Sequence, residues 1–218
     1  SAPLLLAGGG TFLILLFFHW LFMEPKVYGL HIEKFFHQHE VWFFAVASVI
    51  LSAIVWFTLQ QNPFMAFAAV LGSTAFFITH GFKENAEKVE HEMLHKKEGL
   101  SDISKIMYLE VIDATFSVDA VLGAFAFTLS IPLILLGNGL GALVVRKITT
   151  SNIEQIKKYK YLKNGAMYSV LLLGVIMLSE SFGVHIPVWL SPVITSAVLA
   201  YFFYRSVKEA DKKPVEVV

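Results

Sequence analysis

Apolar blocks about 20 residues long limit what this chain can fold into. A hydrocarbon core about 30 Å thick is crossed by about 20 residues of α-helix rising 1.5 Å each. Seven stretches approach that length, at residues 4–23, 41–59, 64–82, 106–129, 131–145, 165–183 and 186–204. A bilayer offers no water to the backbone, so each stretch must satisfy its own N–H and C=O groups as a helix. The rest of the chain agrees. Of 218 residues only 16% are charged, against about 25% in soluble domains. The expectation is an all-α, polytopic integral membrane helix bundle, with a transmembrane domain at residues 1–205 and a polar tail at 206–218. In the fifth stretch Gly137 and Gly141 have the spacing of a close helix contact.

The connections test this count. Lys26 and Lys34 follow the first stretch. Lys83, Lys88, Lys96, Lys97 and Lys105 follow the third. Arg146, Lys147, Lys157, Lys158, Lys160 and Lys163 follow the fifth, and Arg205, Lys208, Lys212 and Lys213 follow the seventh. Together they are all 17 Lys and Arg of the chain. Seven crossings therefore gather every positive charge on one side, which the positive-inside rule assigns to the cytoplasm. The expected topology is multi-pass in the plasma membrane. The N-terminus lies outside, and the loops at about 24–40, 83–105 and 146–164 and the tail lie inside. The formal net charge is zero, which gives no case for nucleic acid as a partner. Cysteine is absent, so disulfides, thiolate ligands and cysteine nucleophiles are excluded. The stretch 4–23 is too long and too aromatic for a signal-peptide core. An opening of Ser1-Ala2-Pro3 instead of methionine suggests processing or further chain upstream.

Residues 91–95 read HEMLH, the H-E-x-x-H pattern in which two histidines one turn apart bind zinc and the glutamate activates its water. Here His91, Glu92 and His95 fall in a basic loop, between Glu90 and Lys96-Lys97-Glu98. A helix charged nearly all round suits a solvated surface better than a catalytic wall, and no third ligand follows. A solvated helix with i,i+4 charge pairs is the leading reading, ahead of a weak metal-binding patch and a membrane zinc peptidase. His37 and His39, in HIEKFFHQHE, have the spacing to share a metal, but an interfacial amphipathic segment is the commoner use of such a stretch. His19, His80 and His185 fall near membrane boundaries.

The fourth stretch, KIMYLEVIDATFSVDAVLGAFAFT, is the informative one. It carries Glu110, Asp113 and Asp119. A carboxylate inside a span costs about 3 kcal/mol on insertion scales and is a functional hypothesis by default. Counted from Lys105 at 1.5 Å per residue, Glu110 lies roughly 7 Å deep, Asp113 roughly 12 Å and Asp119 roughly 21 Å. The two aspartates thus bracket the midplane, the usual depth of transporter sites. At 100° per residue Glu110 and Asp113 lie within about 60° of each other, while Asp119 points to the opposite face. Either the helix is broken near residues 114–118 or Asp119 serves another partner. No Lys or Arg lies in any of the seven stretches, so a cation or protons must neutralise these groups. Oxygen ligands without thiolate suit Mn²⁺, Mg²⁺ or Ca²⁺. Asn138, in GNGLG, offers a carbonyl oxygen or an interhelical hydrogen bond. Glu180, in LSESFG, offers a carboxylate or simply faces headgroups. For Asp113 and Asp119 the alternative is a protonated, hydrogen-bonded structural pair.

Through LEVIDATFSVDAVLGAFAFT, GNGLGALVVRKIT and YLKNGAMYSVLLLGVIMLSE the chain resembles the TerC-like tellurium-resistance family of the LysE-type transporter superfamily. It is closest to that family's branch with the pattern E-V-x-D-x-S-F-S-x-D-G. The resemblance covers residues 105–208 well and 8–24 more weakly. It implies a polytopic protein linked to manganese efflux or tellurite resistance, with Glu110, Asp113 and Asp119 lining the metal path, and with Asn138 and Glu180 as further members. Thr115 stands where relatives have serine, and Ala120 where they have Asn or Gly. Relatives carry a second acidic motif in an earlier inverted repeat, and residues 1–104 hold none. The missing half of the pathway is then expected from a homo-oligomeric partner or from an N-terminal half outside this sequence.

The combined expectation is a transporter, not an enzyme, that exports a divalent cation, Mn²⁺ first among candidates, with proton exchange as the coupling. Asp113 and Asp119 are the midplane ligands and Glu110 a cytoplasmic-side relay. No tightly bound cofactor is expected, and the partners are the lipid bilayer and the transported ion. A non-transporting membrane scaffold in a metal or tellurite stress response is the second class.

Overall fold

A computed structural model of the chain describes residues 2–95, 130–157 and 159–210. Among these residues the protein is all α-helical, with no strand. The helices are α1 (Ala2–Met23), the short α2 (His31–His37), α3 (Phe43–Gln61), α4 (Pro63–His95), α5 (Ile131–Lys157), α6 (Leu162–Ser181) and α7 (Leu190–Ala210). Five are long and apolar enough to cross a membrane, and Ile131–Val144 of α5 is a shorter apolar run. Each expected span except 106–129, which lies outside the described residues, coincides with a helix. The protein is a membrane-embedded helix bundle.

The axis of the bundle is α1, with 67% of its apolar window buried, against 22% for the α3 span and 17% for α7. The cause is in its sequence. Gly8, Gly9 and Gly10 give it a backbone surface that neighbours approach on two sides. A Cβ at Gly72 of α4 would overlap the Gly8 carbonyl, and one at Gly8 would sit 2.9 Å from Ala68 O. A Cβ at Gly10 would sit 2.9 Å from Gly174 O of α6, and one at Gly174 3.0 Å from Ile14 Cγ1. In lipid, where no hydrophobic force drives helices together, such close backbone approach is what makes association favourable. Further along α1 the contacts become aromatic. Phe12 meets Phe76 edge-on at 6.0 Å, and Trp20 meets Tyr168 at 5.8 Å. The His19 ring stacks on His80 at 4.1 Å.

These pairings fix directions. Gly8–Gly72, Phe12–Phe76 and His19–His80 advance together, so α1 and α4 are parallel. Gly10–Gly174 and Trp20–Tyr168 run oppositely, so α1 and α6 are antiparallel. Asn62 turns α3 into α4, its side chain accepting the Phe64 N–H at 2.9 Å, with Pro63 as the first helical residue, where its missing N–H is not needed. Gly165 packs on Phe202, and the Tyr161 N–H donates to Ser206 at 3.0 Å, so α6 and α7 are antiparallel.

Two helices outrun their expected spans. α4 does not stop near 82 but continues to His95, so HEMLH forms its last turns. The segment KENAEKVEHEMLH lacks Gly and Pro and is rich in strong helix formers, with Glu84 placed four residues before Lys88. α5 likewise extends to Lys157. Gly137 and Gly141 meet no described atom within 4 Å, so the helix contact their spacing suggests is not made among the described residues.

Gly72→Ala is expected to destabilise the bundle by about 1–3 kcal/mol through overpacking, while Gly139→Ala, where a Cβ meets no described atom within 4 Å, changes stability by less than about 1 kcal/mol. Denaturant unfolding in detergent checks the contrast.

Candidate functional site

Of the five expected metal-path residues, Glu110, Asp113 and Asp119 lie outside the described residues. Asn138 is on α5, partly buried, and Glu180 is on the last turn of α6, also partly buried. α5 makes no extensive contact with another described helix. Among the described residues no three His, Asp or Glu converge as a metal site. His37 Nδ1 pairs with Phe22 O at 3.0 Å and His39 Nδ1 with Phe35 O at 2.8 Å, which ties both rings to the backbone of the α1–α2 region.

The described residues instead show a polar junction at the end of the bundle that carries the basic residues. Its centre is Glu33, a fully buried carboxylate on α2. α2 reads HIEKFFH. Ile32 and Phe35 are exposed, while Phe36 packs on Phe22 of α1 at 5.0 Å. Glu33, three residues before Phe36, shares its inward face. One carboxylate oxygen, Oε2, accepts the Gly29 N–H at 2.6 Å and Asn164 Nδ2 at 2.8 Å. The other, Oε1, is buried and has no hydrogen-bond partner of normal geometry among the described residues. The Tyr168 side chain lies near the same carboxylate. Asn164, itself buried, also donates to Val27 O at 3.0 Å. One amide thus ties the α1–α2 connection and the buried carboxylate to the first turn of α6.

Lys26 completes the junction. Its ammonium donates to Trp20 O and, at 2.6 Å, to Leu21 O, capping carbonyls that α1 leaves unpaired at its C-terminus. It lies 4.2 Å from the Trp20 ring, in cation–π range. Burial pushes the Lys26 amine down from the usual 10.5 to about 8, against the attraction of Glu33 and then Glu24, with Lys163 adding a smaller downward push. Lys163 pairs with Glu24 at 2.6 Å, an exposed bridge that contributes little. On the neighbouring side the Tyr161 hydroxyl donates to Glu209, which raises the tyrosine pKa, and Arg205 lies 5.5 Å from the Tyr161 ring.

The sequence alone marks Lys26 only as a loop charge and singles out neither Glu33 nor Asn164. The signal was present at one place, the i,i+3 register of Glu33 with Phe36. Asn164, two residues into an apolar helix, gave only a weak one.

Asn164→Leu removes the side-chain donor to a buried carboxylate and is expected to cost about 1–3 kcal/mol, read as a lower thermal midpoint. Lys26 gives a pH signature. Folding lowers its pKa, so between about 8 and 10.5 the unfolded chain holds the proton that the folded chain has released. Stability then rises with pH across that window. Melting curves from pH 7.5 to 10.5 should show this rise in the wild type and lose it in Lys26→Met.

No curated protein and no solved structure matches the chain. A family model does match, over residues 2–213, nearly the whole length. That model is described as a protein of unknown function, DUF475, and the chain belongs to this family.

Proposed function

We propose that this protein is a membrane transporter that exports a divalent metal cation, Mn²⁺ first among candidates, across the plasma membrane. One observation carries the reading. Glu110, Asp113 and Asp119 occur in an apolar stretch long enough to span the bilayer, and all 17 Lys and Arg of the chain lie outside the expected spans. Carboxylates at midplane depth without a fixed cationic partner need a mobile one. Asp113 and Asp119 are the ligands in this reading, Glu110 relays ions from the cytoplasmic side, and Asn138 and Glu180 are auxiliary oxygen donors. The same carboxylates can exchange the cation for protons. The resemblance to TerC-like transporters supports both the ion and the residues.

The directions of the described helices support the crossing count. α4 runs towards the end where Glu24 and Lys26 lie, and α6 starts from that end through Lys163 and Asn164. The chain between them must therefore cross an even number of times. An acidic span at 106–129 followed by α5 meets that requirement. With the basic end in the cytoplasm, the N-terminus lies outside.

Cells expressing the protein under Mn²⁺ load should hold less manganese than cells expressing Asp113→Asn or Asp119→Asn at equal membrane abundance. Equal manganese content in all three would remove the transport reading and favour a non-transporting scaffold.

A further inference from the structure

Between α6 and α7 runs an open apolar groove of about 390 Å³, within the size range of small-molecule sites. Leu30, Tyr168, Leu172, Ala197, Tyr201 and Phe202 line it. Tyr168 stacks on Phe202 at 5.4 Å, with their planes 10° apart. From the start of α6 at Leu162, Tyr168 lies roughly 9 Å along the helix and Leu172 roughly 15 Å. The groove therefore occupies one leaflet, the one at the basic end, and stops near the midplane of a core about 30 Å thick.

Its stripe on α7 continues into charge. Arg205 lies one turn beyond Tyr201 and Lys208 almost two, on the same face. Arg205 lies over the Tyr161 ring, two turns before Tyr168 on α6, and the exposed Lys160 precedes Tyr161. Two carboxylates lie near among the described residues: Glu209, which accepts the Tyr161 hydroxyl, and the buried Glu33, beside Tyr168 and offset by Lys26. Lys163 is matched by Glu24. Arg205, Lys208 and Lys160 thus leave an excess of positive charge at the mouth of an apolar slot one leaflet deep.

We propose that this groove binds an anionic phospholipid, with an acyl chain along α6 and α7 and its phosphate met by Arg205 and Lys208. A basic pocket between helices at the membrane surface is what an anionic headgroup recognises. A zwitterionic lipid carries its own cation beside the phosphate and gains less. The proposal concerns only the α6–α7 face and is independent of transport through the acidic stretch.

The test is native mass spectrometry of the full chain, purified in detergent and offered equimolar phosphatidylglycerol and phosphatidylcholine. Phosphatidylglycerol should be retained preferentially. Arg205→Gln and, separately, Lys208→Gln should each reduce the preference about fivefold. Ala197→Phe, at an exposed position on the groove wall, should reduce retention of both lipids. Lys147→Gln, at an exposed residue on α5, which lines no part of the groove, should behave as wild type. Equal retention of the two lipids would overturn the proposal. So would wild-type retention in Ala197→Phe, or a loss of preference in Lys147→Gln as large as in Arg205→Gln.

Discussion

The bundle depends on backbone-to-backbone contact at Gly8 and Gly10 of α1. Gly72 of α4 and Gly174 of α6 close on this patch from two sides, at distances that leave no room for a methyl group without displacement. In lipid this matters more than in water, because a membrane-facing leucine and a buried one see similar surroundings. Other contacts of α1 follow from it. Once the glycines set the separation near the start of α1, the rings of Phe12, His19 and Trp20 meet Phe76, His80 and Tyr168 farther along. Those contacts bring the end of α1 beside the start of α6, where Glu33, Asn164 and Lys26 interlock.

That junction gives the bundle a defined polar end. A buried carboxylate is costly unless its oxygens find donors. Glu33 has Gly29 and Asn164 on one oxygen, and the positive charge of Lys26 nearby. The groups come from two sequence segments, residues 26–33 and Asn164, at least 131 residues apart, so their meeting reports the tertiary arrangement itself. The same end gathers Lys163, Arg205 and Lys208. Of the charges counted along the chain, Lys26, Lys163, Arg205 and Lys208 thus assemble at one end of the described helices.

Much of the architecture was legible in the sequence for a physical reason. Spans must be long, apolar and helical, so α1, α3, α4, α6 and α7 could be placed to within a few residues. Helix ends beyond the apolar run were less legible. Past Gly81 hydropathy falls but helix propensity does not, and α4 continues to His95. Spacing alone does not say which face of a helix meets a neighbour. Gly137 and Gly141 have the familiar spacing and meet no described atom, while the consecutive Gly8, Gly9 and Gly10 bear the contacts. Of the candidate site, Asn138 and Glu180 fall on described helices, and the three carboxylates of the fourth stretch lie outside the described residues. The Glu33 junction was hidden because a charged residue in a short connecting helix is usually solvated, and only the assembled fold buries it.

The most direct test of the account is Mn²⁺ flux into proteoliposomes reconstituted with the full chain, set against the Asp113→Asn/Asp119→Asn double variant at equal protein density. The account predicts flux with the wild type that disappears in the double variant. Equal flux through both would contradict it, by showing that the acidic stretch is not the path, and absence of flux through both would contradict transport by this chain.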